Sequence, residues 1–330
     1  MSSVRRAVID VGTNSVKLLV ADVCGHEVIP IREDSKQTRL GRGFFETHRL
    51  QPEAITKTTL AVARFAADAR ALKAESIRVI GTSAARDAIN PTDLISAIHD
   101  ATALPLEIIS GEREADWAFQ GVTTDPSLAQ VPLLLLDVGG GSTEFILGQG
   151  EQKHFRHSFR IGTVRLLETI PPSDPPTPQE FSETRQWIRD FIQKKIVPEL
   201  QPALRREVEL HAGHKPVELV GTGGTTSILG RMEAQLDDYD RARIEATRLS
   251  LDRVRWHCEH LWSLPLLQRQ NIVGLPRKRA DVILAGVAIF EAVMECLDFN
   301  ELRVSTRGLR FAAVMSEPPV VSAPEESLSQ

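Results

Sequence analysis

Cysteine is scarce in this chain. Its 330 residues hold three, Cys24, Cys258 and Cys296, odd in number and far apart. A disulfide framework is thereby excluded, and the thiols suit a reducing compartment. Long apolar runs are also missing. None approaches the roughly 20 residues needed to span a bilayer, and MSSVRRAVID carries no signal-peptide core, so a cytoplasmic location and no membrane partner are expected. An excess of basic charge is lacking too. Lys and Arg total 39 against 44 Asp and Glu, a net charge of −5. Such a chain has no global pull on nucleic acid, and a polyanionic ligand needs a local basic cleft. No Ser-His-Asp arrangement is readable. His257-Cys258-Glu259-His260 and His211-Ala-Gly-His214 have ligand-like spacing but no completing cluster, so no metal is expected at either. His99-Asp100 reads as solvated surface.

What is present is ordinary globular composition, 42% hydrophobic and 25% charged, at a length that allows two domains. The organising stretch is Leu133 to Gly148, LLLLDVGGGSTEFILG. Its unbroken leucines predict a strand buried on both faces. Gly139, Gly140 and Gly141 have no side chain to hold a ligand away, so backbone N–H groups can close on an anion. Ser142 and Thr143 add hydroxyls. Asp137 and Glu144 are hard oxygen ligands of the kind Mg²⁺ takes.

The device occurs twice. Asp10-Val11-Gly12-Thr13-Asn14-Ser15 sits between apolar runs as Asp137 to Ser142 does, 127 positions earlier. A third glycine loop follows at Gly221-Thr222-Gly223-Gly224-Thr225. A lone glycine loop is usually a tight turn, and a lone aspartate there a turn cap. Three loops, two of them near-copies, point to a phosphate cleft between duplicated halves, with Asp10 as the matching acid of the first copy.

Strands alternate with helices in both halves, so the class is α/β. Strands are expected at 4–11, 16–23, 77–81, 106–110, 217–221 and 301–306. Helices are expected from Pro52 to about Lys73, Pro91 to Ala103, Gly111 to Gly121, Pro178 to about Leu200, Ser250 to Trp262, Pro276 to Leu297, and Arg307 to Met315. Thr177-Pro178-Gln179-Glu180 reads as a capping box. A first domain over 1–124 and a second over 125–297 are expected, with 316–330 a disordered tail. The apolar helix at 280–297 reads as core rather than dimer face, and a homodimer stays open.

If the loops hold phosphate, charge neutralisation, a metal and a base remain to be found. Arg86, in a small-residue loop after a strand, could clamp a phosphate or be a surface arginine. Glu112 or Glu114 could take a proton from water, although acids favour helix N-termini in any case.

These motifs resemble the exopolyphosphatase/guanosine pentaphosphate phosphohydrolase family, Ppx/GppA, over residues 4–315. The resemblance rests on Ile9 to Leu18, Arg39-Leu40-Gly41, Gly81 to Ala88, Ile109 to Ala115, Asp137 to Glu144, Gly221 to Thr225, Arg279 to Gly286, and Val304-Ser305 with Gly308-Leu309-Arg310. It implies two ribonuclease-H-like domains of the actin/sugar-kinase superfold, each on a five-stranded sheet, with the last helix (about 298–315) packed on the first. It also implies Glu114 as catalytic base, Arg86 as phosphate-binding arginine, and Asp137 and Glu144 as metal-site and water-orienting acids, with Asp10 beside them. Thr13, Asn14, Ser15, Gly140, Gly141, Ser142, Gly223, Gly224 and Thr225 become the phosphate cradle. Two departures stand out. Arg113 replaces a usual second glutamate and could add a phosphate contact, and Arg310 is followed by Phe311-Ala312 where Glu-Gly is usual. The resemblance is to the short members, so the C-terminal helical domain of longer members is not expected.

The expected activity is hydrolysis of the terminal phosphoanhydride of inorganic polyphosphate, with Mg²⁺ or another divalent cation. Guanosine pentaphosphate (pppGpp) is the alternative substrate. A non-hydrolysing phosphate or nucleotide sensor and a kinase of the same superfold are the other classes.

Overall fold

The computed structural model describes residues 3–210 and 216–316; His211, His214 and the expected tail beyond Ser316 lie outside that range. Two sheets face each other across a helical layer. The first has strand order β3-β2-β1-β4-β5, built from β1 (Val4–Val11), β2 (Ser15–Cys24), β3 (Glu27–Gln37), β4 (Ser76–Gly81) and β5 (Leu106–Ile108). The second has order β10-β11-β9-β6-β7-β8, from β6 (Leu133–Val138), β7 (Thr143–Gln149), β8 (Gln152–Phe159), β9 (Glu218–Thr222), β10 (Arg248–Ser250) and β11 (Glu301–Val304). It therefore has six strands, not five, because Arg248–Ser250 adds an antiparallel edge to β11. Neither β10 nor β3 is among the strands expected from sequence. β10 is three residues long, and β3 is a charged edge strand with no clean alternation.

In each sheet an antiparallel hairpin is joined by a parallel strand, β1 by β4 and β6 by β9. The duplication shows in the register. Asp10 pairs across its hairpin with Lys17, and Asp137 with Glu144. The four leucines of β6 point alternately to two cores. Leu134 and Leu136 join the large cluster under the helix Ile283–Leu297, while Leu133 and Leu135 meet Ala115, Ala118 and Phe119 of the helix Gly111–Val122. Burial on both faces is why no polar residue interrupts the run. Ile283–Leu297 is buried on nearly all sides, as an apolar helix around its full circumference must be.

Three helix boundaries differ from expectation. The capping box at Thr177 and Glu180 forms, but the helix passes through a π-turn (Ile192–Ile196) and on to Leu210, because Leu200, Leu204 and Glu207 are buried and outweigh the donor lost at Pro202. Pro276 starts a single 3₁₀ turn, Arg277–Arg279, and the long helix begins only at Ile283. The last helix begins at Leu309 rather than Arg307.

The helix Gly111–Val122 lies between the sheets. Trp117 packs with Val8, Leu19 and Ile80 of the first sheet and with Leu309, Phe311 and Val314 of the last helix. Its opposite side covers the second sheet. Gly121 lets the two helices touch: a Cβ there would lie 1.9 Å from the Gly308 carbonyl oxygen. Overpacking a site of this kind costs about 1–3 kcal/mol or more. Gly121→Ala should lower stability by at least that amount, read as a lower denaturation midpoint; an unchanged midpoint would show that the helices separate freely.

Candidate active site

A cleft of about 470 Å³ opens between the sheets at the ends of β1 and β6. Asp10 and Asp137 both line it, with Thr13, Asn14 and Ser15 from the first loop, Gly140, Gly141 and Ser142 from the second, and Gly223 and Gly224 from the third. The first two loops touch. A Cβ at Gly140 would lie 2.9 Å from Thr13 Cβ, and one at Gly141 would lie 2.4 Å from Ser83 Oγ. Thr222 makes no side-chain cap on the helix Gly223–Glu233, so its first N–H groups are free at the wall, as at helix-terminal phosphate sites. Gly223 has φ +84°, and a Cβ would lie 2.3 Å from Asp137 Oδ1.

Of the candidate cradle, Thr225 does not reach the cleft. It is buried, and its methyl and hydroxyl pack against Gly286, where a Cβ would lie 2.6 Å from Thr225 Cγ2. Helical geometry is the reason: two residues past Gly223 a side chain has turned to the core face.

Glu114 projects from the first turn of Gly111–Val122 onto the cleft wall, and Glu112 does not line it. Arg86 is not on the wall. Its Nη1 donates to Glu114 Oε2 at 2.8 Å and to the Ile109 carbonyl at 3.2 Å. The short helix Ser83–Asp87 carries Arg86 beside Glu114, where it pairs with the carboxylate. Arg113 also points away. Its guanidinium lies 4.7 Å from the Trp117 ring centroid, near Glu107 at 3.9 Å, and so adds no contact to the cleft.

The cations that do line the cleft are Lys17, Arg279 and Arg310. Arg279 Nη1 donates to Ser15 Oγ at 3.2 Å, joining the halves, and Arg310 donates to the Leu18 carbonyl at 2.6 Å and Glu33 at 3.3 Å. Sequence reading gave none of them a role. Lys17 had a signal, a charge within an otherwise apolar strand pair; Arg279 and Arg310 had only their place in motifs.

Burial dominates the electrostatics. It raises the carboxyls of Asp10, Asp137 and Glu144 above their ordinary values and pushes Glu114 up to about 7. Arg86 pulls Glu114 down against that burial. Glu114 and Asp137 raise Glu144 further, as neighbouring carboxylates in a dry site do. Ser142 Oγ and Ser158 Oγ both donate to Glu144 Oε1, at 2.8 and 2.7 Å. Burial lowers Lys17, and it lowers Arg279 to about 10.

A trio of Asp10, Asp137 and Glu144 around one metal is not formed. Among the described residues no group of three or more His, Cys, Asp or Glu is close enough to cage an ion, and Glu144 Oε1 is occupied by the hydroxyls of Ser142 and Ser158. Two carboxylates still fit a divalent cation. Asp10 Oδ1 is buried with no hydrogen-bond partner, and Asp10 raises the Asp137 carboxyl. Mg²⁺ commonly takes one or two protein carboxylates and completes its shell with water and phosphate oxygens.

His257 and Cys258 are structural. His257 Nε2 lies 2.7 Å from Glu233, and Cys258 is buried. Among the described residues no helix is long and apolar enough to cross a membrane.

Two lobes, three glycine loops and a cleft lined by cations and buried acids define a phosphate-handling enzyme of the actin/sugar-kinase superfold. The sequence profile of the Ppx/GppA phosphatase family matches residues 19–318, and the chain belongs to that family. It is 35% identical over 304 residues to exopolyphosphatase 2 of Mycobacterium tuberculosis, covering 88% of this chain and 90% of that one. It is 28% identical over 314 residues to the guanosine-5'-triphosphate,3'-diphosphate pyrophosphatase of Vibrio cholerae, 94% of this chain but 58% of that longer protein. The solved Aquifex aeolicus Ppx/GppA enzyme superposes with a TM-score of 0.75 at 29% identity, over 96% of this chain and all of the other.

Arg86→Ala should raise the Glu114 carboxyl further above about 7, since its opposing cation is gone. A carbon NMR titration of Glu114 measures this directly, and an unmoved titration would mean the pair is not made in solution.

Proposed function

We propose that the chain hydrolyses the terminal phosphoanhydride of inorganic polyphosphate, with Glu114 as the base that activates water. The observation that carries this is Glu114 itself: a carboxylate on the wall of a loop-lined cleft, held by Arg86, with its carboxyl pushed by burial to about 7. A base tuned near neutral pH is half ionised at working pH and strong enough to take a proton from water. The loop N–H groups and the Thr13 hydroxyl hold the terminal phosphate. Lys17, Arg279 and Arg310 lie where they offset its charge.

Asp10 and Asp137 would hold the divalent cation, which when bound neutralises charge developing on the phosphate oxygens. Glu144, fixed by Ser142 and Ser158, stands beside Glu114 and orients the water. Polyphosphate is favoured because the charged lining suits a chain of phosphates, and the 35%-identical mycobacterial relative is an exopolyphosphatase. One observation supports guanosine pentaphosphate as second reading: the half-exposed Tyr239 ring on the cleft wall offers a face for a base.

Phosphate release from polyphosphate, guanosine pentaphosphate and ATP, measured in parallel, tests the reading. Glu114→Gln should lose about a hundredfold or more in kcat with the fold intact. Full activity in that variant sinks the assignment of the base, and no release from any substrate in the wild type leaves a sensor. The pH profile has a definite sign. Glu114 must be ionised to accept a proton, so kcat/KM should climb as pH rises toward about 7 and flatten above it. A profile falling over that interval contradicts a carboxylate base.

A further inference from the structure

The triple-glycine loop is pinned from behind by one short helix, Thr163–Thr169. Thr163 N–H donates to the Gly139 carbonyl at 2.9 Å, and Val164 and Arg165 N–H donate to the Gly140 carbonyl at 2.8 and 3.0 Å. The third carbonyl is taken by a side chain: Arg165 Nε donates to the Gly141 oxygen at 2.8 Å. The helix comes this close because Gly162 precedes it; a Cβ there would lie 2.7 Å from the Gly140 carbonyl carbon.

In a trans peptide the C=O of one residue and the N–H of the next point opposite ways. Turning the carbonyls of Gly139, Gly140 and Gly141 onto the helix therefore turns the N–H groups of Gly140, Gly141 and Ser142 off it, where the loop lines the cleft. Among the described residues none of these three donates to another protein group, and successive free N–H groups of this kind form an anion-binding concavity. Main-chain bonds aim the first two. The Gly141 carbonyl, and with it the direction of Ser142 N–H, is held among the described residues by Arg165 Nε alone.

Arg165 is held in turn by the first lobe. Its guanidinium lies 4.2 Å from the Phe45 ring centroid and 3.7 Å from an Asp87 oxygen. Glu168, one turn on, accepts from Gly43 N–H of the same loop as Phe45. Arg165 does not line the cleft. We infer that Arg165 is a positioning residue: it aims Ser142 N–H at the phosphate through the Gly141 peptide, and Phe45 across the lobe boundary keeps it in place. The role deepens the phosphate binding proposed above for the loop N–H groups and rests on it.

Nitrogen-labelled protein titrated with inorganic phosphate tests this without turnover. In the wild type the amides of Gly140, Gly141 and Ser142 should all shift. In Arg165→Ala the Ser142 shift should be lost while those of Gly140 and Gly141 persist, because the bonds that aim them are main-chain. Loss of one aimed donor should lower kcat on polyphosphate about a hundredfold, with a smaller rise in KM. Added guanidinium ion should restore part of kcat to Arg165→Ala, which a general loosening of the fold would not allow. Phe45→Leu should cost less, and joined to Arg165→Ala it should cost nothing more. An undiminished Ser142 shift or an unchanged kcat in Arg165→Ala overturns the role. Equal loss of all three shifts, or wild-type amides unmoved by phosphate, overturns it as well, and additive losses overturn the part given to Phe45. Failure of the proposed hydrolysis looks different: wild type would release no phosphate, and the three amides would still decide on Arg165.

Discussion

Four carboxylates crowd the junction of the two sheets: Asp10, Asp137, Glu114 and Glu144. Burial pushes all four above their ordinary range, and repulsion from neighbouring acids adds to it at Asp137, Glu114 and Glu144. Charges in a low-dielectric site persist only when they are paired or hydrogen-bonded. The surrounding structure supplies those partners from many directions. Arg86 comes from behind Glu114, Ser142 and Ser158 from the second sheet to Glu144, and Lys17 from the hairpin partner of Asp10. The residual imbalance at Asp10 and Asp137 is what a divalent cation and a phosphate would together resolve.

The helix Gly111–Val122 carries this arrangement mechanically. Its hydrophobic sides are committed to both sheets, so its N-terminus cannot shift without disturbing two cores. Glu114 sits on that terminus. Ser110 caps it through Arg113 N–H at 3.1 Å, and Gly111 lies against Ser158, the residue that also holds Glu144. The two acids are thus fixed relative to each other through one contact between helix and strand. Contacts farther out hold the lobes together: Arg39 with Asp281 at 2.7 Å, and Glu168 accepting from Gly43 N–H at 2.7 Å.

Much of this was legible in the chain. The glycine loops, the repeated Asp-Val-Gly, the doubly buried leucine run and the apolar helix at 283–297 each express a local rule, and local rules survive into the fold. Legibility failed where partners decide. Arg86 reads as a phosphate clamp or a surface arginine, and its ion pair with Glu114, 28 positions away, shows in no local spacing. Arg113 reads as a cleft residue until Trp117 is seen one helical turn along. Thr225 reads as cradle because the loop motif includes it, and only helix phase turns it inward. Lys17, Arg279 and Arg310 come from three distant segments, and no spacing links them.

The sequence by itself determined the class of chemistry. Backbone N–H groups freed by glycine, acids at the ends of two equivalent strands and the order of the motifs are properties of short segments, governed by sterics and hydrogen bonding within a few residues. Tertiary structure decided which side chains face the cleft and which stand behind them. Those choices depend on charges brought together from remote parts of the chain into a space too dry to leave any of them alone.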